Sequence, residues 1–84
     1  MTAREHKLCK RLLDVLHEED GRQVDDLLLH ARVNESAACS LSEFAGALAM
    51  CDTRGWITGI TSRYVSGRKL WNINDAGEAA RLEL

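Results

Sequence analysis

Proline is absent from this 84-residue chain, so glycine is left to mark most of the boundaries between elements. No apolar run approaches the length a membrane helix needs, and the opening residues lack the charged, apolar and small-residue segments of a signal peptide. Both absences point to a cytoplasmic protein with no membrane partner. The three cysteines, Cys9, Cys39 and Cys51, are odd in number and have no close pairing, which argues against a disulfide framework and against the spacing of a zinc site. The sequon Asn34, Glu35, Ser36 has no export signal to give it meaning.

Most catalytic chemistry is missing as well. There is no Gly-rich phosphate loop and no paired carboxylate site, nor any internal repeat or linker. Ser66 and Lys69 have the Ser-x-x-Lys spacing of some acyl-transfer enzymes, but they fall in a turn and strand where those enzymes use the start of a helix. His6 and Cys9 share a helix face without a local third ligand, and a buried thiol beside a solvated imidazole accounts for them. Cys39 and Cys51 lie at opposite ends of one expected helix, and His17 and His30 are isolated. The expectation is a non-enzyme with no metal and no cofactor.

What is present describes one ordinary globular domain, residues 1–84, with 45% hydrophobic and 29% charged residues and a single economical core. Thr2, Ala3, Arg4, Glu5 form a capping box, in which the hydroxyl accepts from the N–H three residues on and the carboxylate accepts from the N–H of the cap. Leu8, Leu12, Val15 and Leu16 follow as an apolar stripe widened by Leu13, and Gly21 ends the helix. Glu18, Glu19 and Asp20 oppose the macrodipole there, so that end must fray or be held from elsewhere. Gly21 to Val24 has room for one short strand. Asp25 then caps a second helix carrying Leu27, Leu28, Leu29 and Ala31 up to about Val33. Three adjacent leucines cannot all face one core; two are expected inward, leaving Leu29 as the spare surface.

Asn34 to Cys39 reads as a loop with helical leanings, and Ser40, Leu41, Ser42, Glu43 is a second capping box. The third helix places Leu41, Phe44, Ala45, Leu48 and Cys51 on one apolar face and stops at Gly55. Trp56 to Thr61 is strand chemistry, Ser66 and Gly67 offer a turn, and Leu70 to Ile73 return. Alternation puts Trp71 and Ile73 on one face, with Trp56 and Trp71 as cross-strand aromatics that close a small core. Asn74 or Asp75 caps a last short helix, where Ala76, Gly77, Ala79 and Ala80 let its backbone lie close to another element. The first and last helices suit either a closed monomer core or a dimer seam through Leu8, Leu12 and Leu82. A monomer is the simpler default, because four short elements need every apolar stripe they have.

Leu48 seven residues before Gly55, Trp56, Ile57, followed by Trp71, Asn72, Ile73, Asn74, Asp75, Ala76, Gly77, resembles the winged-helix family over nearly the whole chain. The resemblance implies a small α+β winged helix: three helices, a two-stranded β-hairpin wing and a short C-terminal helix. More loosely, the size and the spacing from Leu27 and Leu28 to Phe44 and Gly55 resemble a small winged-helix protein carried by Mu-like prophages. The family resemblance implies DNA binding and transcription regulation, with the third helix in the major groove and the wing on the backbone or minor groove.

Charge is distributed unevenly along the chain. From Asp14 to Asp52 there are nine acids against two bases, Arg22 and Arg32, which is unlike a groove-reading segment that must neutralise phosphates. From Thr53 to Ile73 there are four bases, Arg54, Arg63, Arg68 and Lys69, and no acid. Arg4, Lys7, Lys10 and Arg11 add to the positive side against Glu5. One reading is a regulator that binds duplex DNA chiefly through its wing. Arg63, Arg68 and Lys69 would meet phosphates or a minor groove, and Tyr64 would hydrogen-bond or stack. Arg54 would stand at the end of the third helix, with Ser42 and Thr53 on its outward face. The other reading is a protein-interaction module that docks through the acidic second helix, Asp25 and Asp26, or through Leu29. Two plainer explanations stand beside these: cations protect an exposed hairpin edge from pairing, and Ser42 and Thr53 are solvated positions on a scaffold helix.

Overall fold

The computed structural model describes residues 1–62 and 67–84. Four helices and three strands run in the order α1 (Ala3–Glu18), β1 (Val24–Asp25), α2 (Asp26–Ser36), α3 (Leu41–Thr53), β2 (Ile57–Thr61), β3 (Lys69–Ile73) and α4 (Asp75–Glu83). Both capping boxes form. Thr2 Oγ1 accepts from the Glu5 N–H at 3.1 Å while the Glu5 carboxylate accepts from the Thr2 N–H at 3.0 Å, and Ser40 and Glu43 repeat the arrangement at 3.1 Å each.

The centre of the core is α1, which packs against α2, α3, α4 and β3. Leu12, Leu13, Val15 and Leu16 are fully buried along it, as the stripe predicts. Its acidic end is held from outside by Arg32 of α2, which pairs with Glu18 at 3.0 Å and with Glu19, and from within by Arg11, which reaches Glu18 at 3.7 Å. The chain then turns through two left-handed residues, Asp20 at φ 53° and Gly21 at φ 83°.

Three expectations for the helices are corrected. Of the adjacent leucines only Leu29 turns inward and is fully buried, whereas Leu27 and Leu28 are exposed; the spare surface is theirs. The buried face of α3 is Phe44, Ala47 and Cys51, with Leu48 and Met50 against it, while Leu41 and Ala45 face solvent. Cys9 Sγ lies 3.8 Å from the Ala47 carbonyl oxygen, so α1 sits close on a small residue that a search for large apolar side chains passes over. The second helix also continues to Ser36, nearly one turn into the expected loop.

The sheet has three antiparallel strands in the order β1-β3-β2: the two expected of the wing and a short one at Val24–Asp25, at the end of the stretch that had room for it. The short strand β1 pairs Val24 with Trp71 and Asp25 with Leu70. Trp71 and Ile73 are buried on one face of β3, so the alternation holds. Trp71 has no aromatic partner among the described residues, however: Gly59 stands opposite it, and Trp56 precedes β2 and is half-buried. A Cβ at Gly59 would come within 2.5 Å of the Trp71 ring, so the indole lies across the bare backbone of its neighbour. Asn74 caps α4 by accepting from the Gly77 N–H at 2.9 Å. Gly77 packs directly on the Trp56 carbonyl, which a Cβ there would approach to 2.1 Å.

Candidate nucleic-acid interface

The outward face of α3 and the β2–β3 hairpin bring most of the candidate residues to the surface. Ser42, Ala45, Gly46, Ala49 and Thr53 are exposed along α3 at helical spacing. None of these side chains is larger than a threonine, so the helix backbone can approach a surface closely. Met50 turns inward, its Sδ 4.0 Å from Cys9 Sγ, which leaves Ala49 on the outward stripe. Arg54 follows as the C-cap residue, its guanidinium carbon 5.4 Å from the centre of the Trp56 ring.

On the hairpin, Lys69 is exposed with its Nζ 5.5 Å from the centre of the Trp71 ring. Arg68 is not a free wing cation. Its guanidinium donates to both oxygens of Asp25, at 3.3 and 3.2 Å. The Leu27 N–H first, and then the Arg68 guanidinium, hold the Asp25 carboxyl below its ordinary range. The Trp71 indole N–H donates to Asp26, so two adjacent acids at the start of α2 fasten the root of the hairpin. Arg63 and Tyr64, the remaining candidates, and Ser66 of the discarded Ser-x-x-Lys pair, lie outside the described residues.

Folding changes the charge pattern more than any other property. Among the described residues, five of the nine acids between Asp14 and Asp52 enter ion pairs: Asp14, Glu18, Glu19, Asp25 and Glu43. Most of the cations come from outside that segment, from Arg4, Lys10, Arg11, Arg68 and Arg81. The acidic middle and the basic ends are therefore interleaved. Glu43 is paired, leaving Asp52 as the acid on α3 without an ion-pair partner among the described residues. Lys7, Arg22, Arg54 and Lys69 are the bases without an acidic partner among those residues.

The remaining polar side chains do other work. His17 contacts Glu78 at 2.8 Å and joins α1 to α4, and His30 Nε2 is 3.1 Å from the Cys39 carbonyl oxygen, so neither imidazole is isolated. Cys9 and Cys51, which no sequence spacing connects, are both buried in the core, and the neighbouring Cys9 thiol together with burial pushes the Cys51 thiol up. Among the described residues no three His, Cys, Asp or Glu side chains come together to hold a metal ion, and no helix is long and apolar enough to cross a membrane.

No protein-family model and no curated protein matches the chain. Solved structures do match. The PcaV transcriptional regulator from Streptomyces coelicolor, solved with its natural ligand, superposes with a TM-score of 0.69 at 19% identity, over 100% of this chain and 52% of that one. Bordetella bronchiseptica BpsR, a protein whose DNA binding is regulated by 6-hydroxynicotinic acid, superposes with a TM-score of 0.67 at 14% identity, over 99% and 55%. The fold is a winged helix. The chain spans about half the length of these structures, and at such identities the likeness establishes architecture alone. In winged-helix terms α2 and α3 form the helix-turn-helix and β2–β3 is the wing, with β1 as the third strand of its sheet.

Proposed function

We propose that this winged helix binds duplex DNA as a regulator, with α3 laid toward the major groove and the electrostatic contacts led by the wing. The observation that carries this reading is the outward stripe of α3. Ser42, Ala45, Gly46, Ala49 and Thr53 are small and carry no charge, and the acid beside them, Glu43, is neutralised. Arg54 and Lys69 are the cations nearest that stripe in sequence with no acid partner to surrender, and Arg63 and Tyr64 would extend the contact. Arg68 would have to exchange Asp25 for a phosphate, so its contribution is smaller than that of Lys69. The DNA-binding regulators that share the fold support the same direction.

A mobility-shift titration of a mixed-sequence duplex across salt concentrations tests this. Lys69→Ala should lower the salt slope by about one and weaken binding evenly across sequences, as loss of one phosphate contact does. Replacing Ser42 and Thr53 together should cost less. The reverse order would transfer the leading role to α3. A parent that binds no duplex at about 50 mM salt would remove the reading, since a basic nucleic-acid surface retains non-specific affinity there.

A second reading rests on Leu27 and Leu28, which are 52% and 54% exposed at the start of α2. Two adjacent exposed leucines beside Asp25 and Asp26 would serve a protein partner, in which case the domain is an interaction module and the duplex titration is blank. Of the three residues named for a dimer seam, Leu82 is exposed but Leu8 and Leu12 are already buried in the chain's own core, so we infer a monomer.

A further inference from the structure

We propose that Arg4, at the start of α1, is a positioning residue for DNA binding: it touches no nucleic acid and acts by cancelling and fixing the charge of Glu43 on α3. The proposal rests on the DNA-binding reading above. Glu43 is the third residue of α3 and adjoins Ser42, the first residue of the outward stripe. Its side chain is 43% exposed, so an unpaired carboxylate there would meet the field of an approaching phosphate chain.

Arg4 removes that obstacle by geometry. Its Nε donates to Glu43 Oε2 at 3.0 Å and its Nη2 lies 3.3 Å from Oε1, a two-pronged contact that a planar guanidinium makes and a lysine cannot. The same Nη2 donates to the Ala38 carbonyl in the turn between α2 and α3. One side chain thus joins the start of α1, the turn of the helix-turn-helix and the start of α3. Glu43 cannot swing away, because Oε1 also accepts from the Ser40 N–H at 3.1 Å in the capping box. The Arg4 hydrogen bond, followed by the Ser40 N–H, holds the Glu43 carboxyl below its ordinary range, consistent with an ion pair in the folded state. With Nε and Nη2 directed at Glu43 and Ala38, Arg4 keeps only Nη1 to offer a phosphate, although its place in the sequence makes it look like a free cation.

The test is a charge-rescue cycle on the full chain with a fluorescein-labelled mixed-sequence duplex. Arg4→Met should weaken binding on the order of fivefold at about 50 mM salt, the size expected for one exposed like charge near the interface. Glu43→Gln keeps the capping box, because glutamine serves at that position too, and should bind at least as well as the parent. The double variant should return to within about twofold of the parent with the parent's salt slope. A double variant that stays weak, with a slope reduced by about one, would show that Arg4 contacts a phosphate directly and would overturn the proposal. If Arg4→Met fails to fold by circular dichroism, Arg4→Lys takes its place in the same cycle; it keeps the charge and loses the fork, so it should bind more weakly than the parent and be improved by Glu43→Gln. No improvement there would also overturn the proposal. A parent that binds no duplex defeats the DNA-binding reading and the role of Arg4 together, whereas a binding parent with an unrescued double variant defeats only the latter.

Discussion

The first helix and the wing are held by opposite means. Along α1 six side chains, from Leu8 to Leu16, are buried, and neighbouring elements cover the helix on several sides. Along β2 only Ile57 is buried and the other four residues face solvent. The wing is instead pinned at single points: the Trp71 ring across Gly59, the Trp71 indole to Asp26, Arg68 to Asp25. The difference separates stability from recognition. Burial makes the scaffold and includes Trp71 and Ile73 of β3, while β2 buries little apolar surface beyond Ile57 and can tolerate change there without loss of the fold.

The sharpest way to break the contrast is to truncate one apolar residue in each region. Leu12→Ala, at a position with no exposed surface, should cost about 2–5 kcal/mol, whereas Ile60→Ala on the exposed strand should stay within about 0.5 kcal/mol. Urea denaturation read by circular dichroism measures both, and equal losses would abolish the distinction. A smaller effect should follow Gly59→Ala, because the added methyl meets the Trp71 ring at 2.5 Å and the ring must move. Such overpacking costs roughly 1–3 kcal/mol and should also shift the tryptophan fluorescence of the native state. An unchanged spectrum and stability would mean that the indole is not seated on Gly59.

The smallest expected effect is a pH dependence that belongs to the helical side. The folded-state pKa of Glu43 is depressed by Arg4 and the Ser40 N–H, and that of Asp25 by the Leu27 N–H and Arg68. The stability these carboxylates add is therefore present above their ordinary titration range and is lost as pH falls through their lowered values. Glu43→Gln should flatten the acid side of a stability-against-pH curve. A curve with the parent's slope would show that Glu43 contributes nothing to it.

The elements themselves were legible because their signals are local. Two S/T-x-x-E boxes, Gly55 at φ 74°, and the alternation around Trp71 each need only a few neighbouring residues to be read, and each appears where expected. The misjudged positions depend on a distant element. Ala47 is buried because α1 needs a small side chain under Cys9, and Leu41 is exposed at the first turn of α3, close to where the first turn of α1 offers Arg4 rather than an apolar side chain. Leu27, Leu28 and Leu29 are alike in composition and differ only in which way the helix is turned. The candidate interface was less legible still, since linear charge gave no sign that Arg4, Arg68 and Arg81 would spend themselves on the acids of the middle segment.

Because β1 is only two residues long and pairs Val24 with Trp71, the sheet joins chain positions on either side of the whole helix-turn-helix. Closing so long a loop costs more conformational entropy than closing the β2–β3 turn, and two residues of ladder repay little of it. The pairing is affordable only once α2 and α3 have docked on α1 and brought those ends together. A hairpin without it would be a two-stranded ribbon, marginal in water. The wing is thus a conditional structure: its third strand is held in place only where the helices beneath it bring both ends of the helix-turn-helix together.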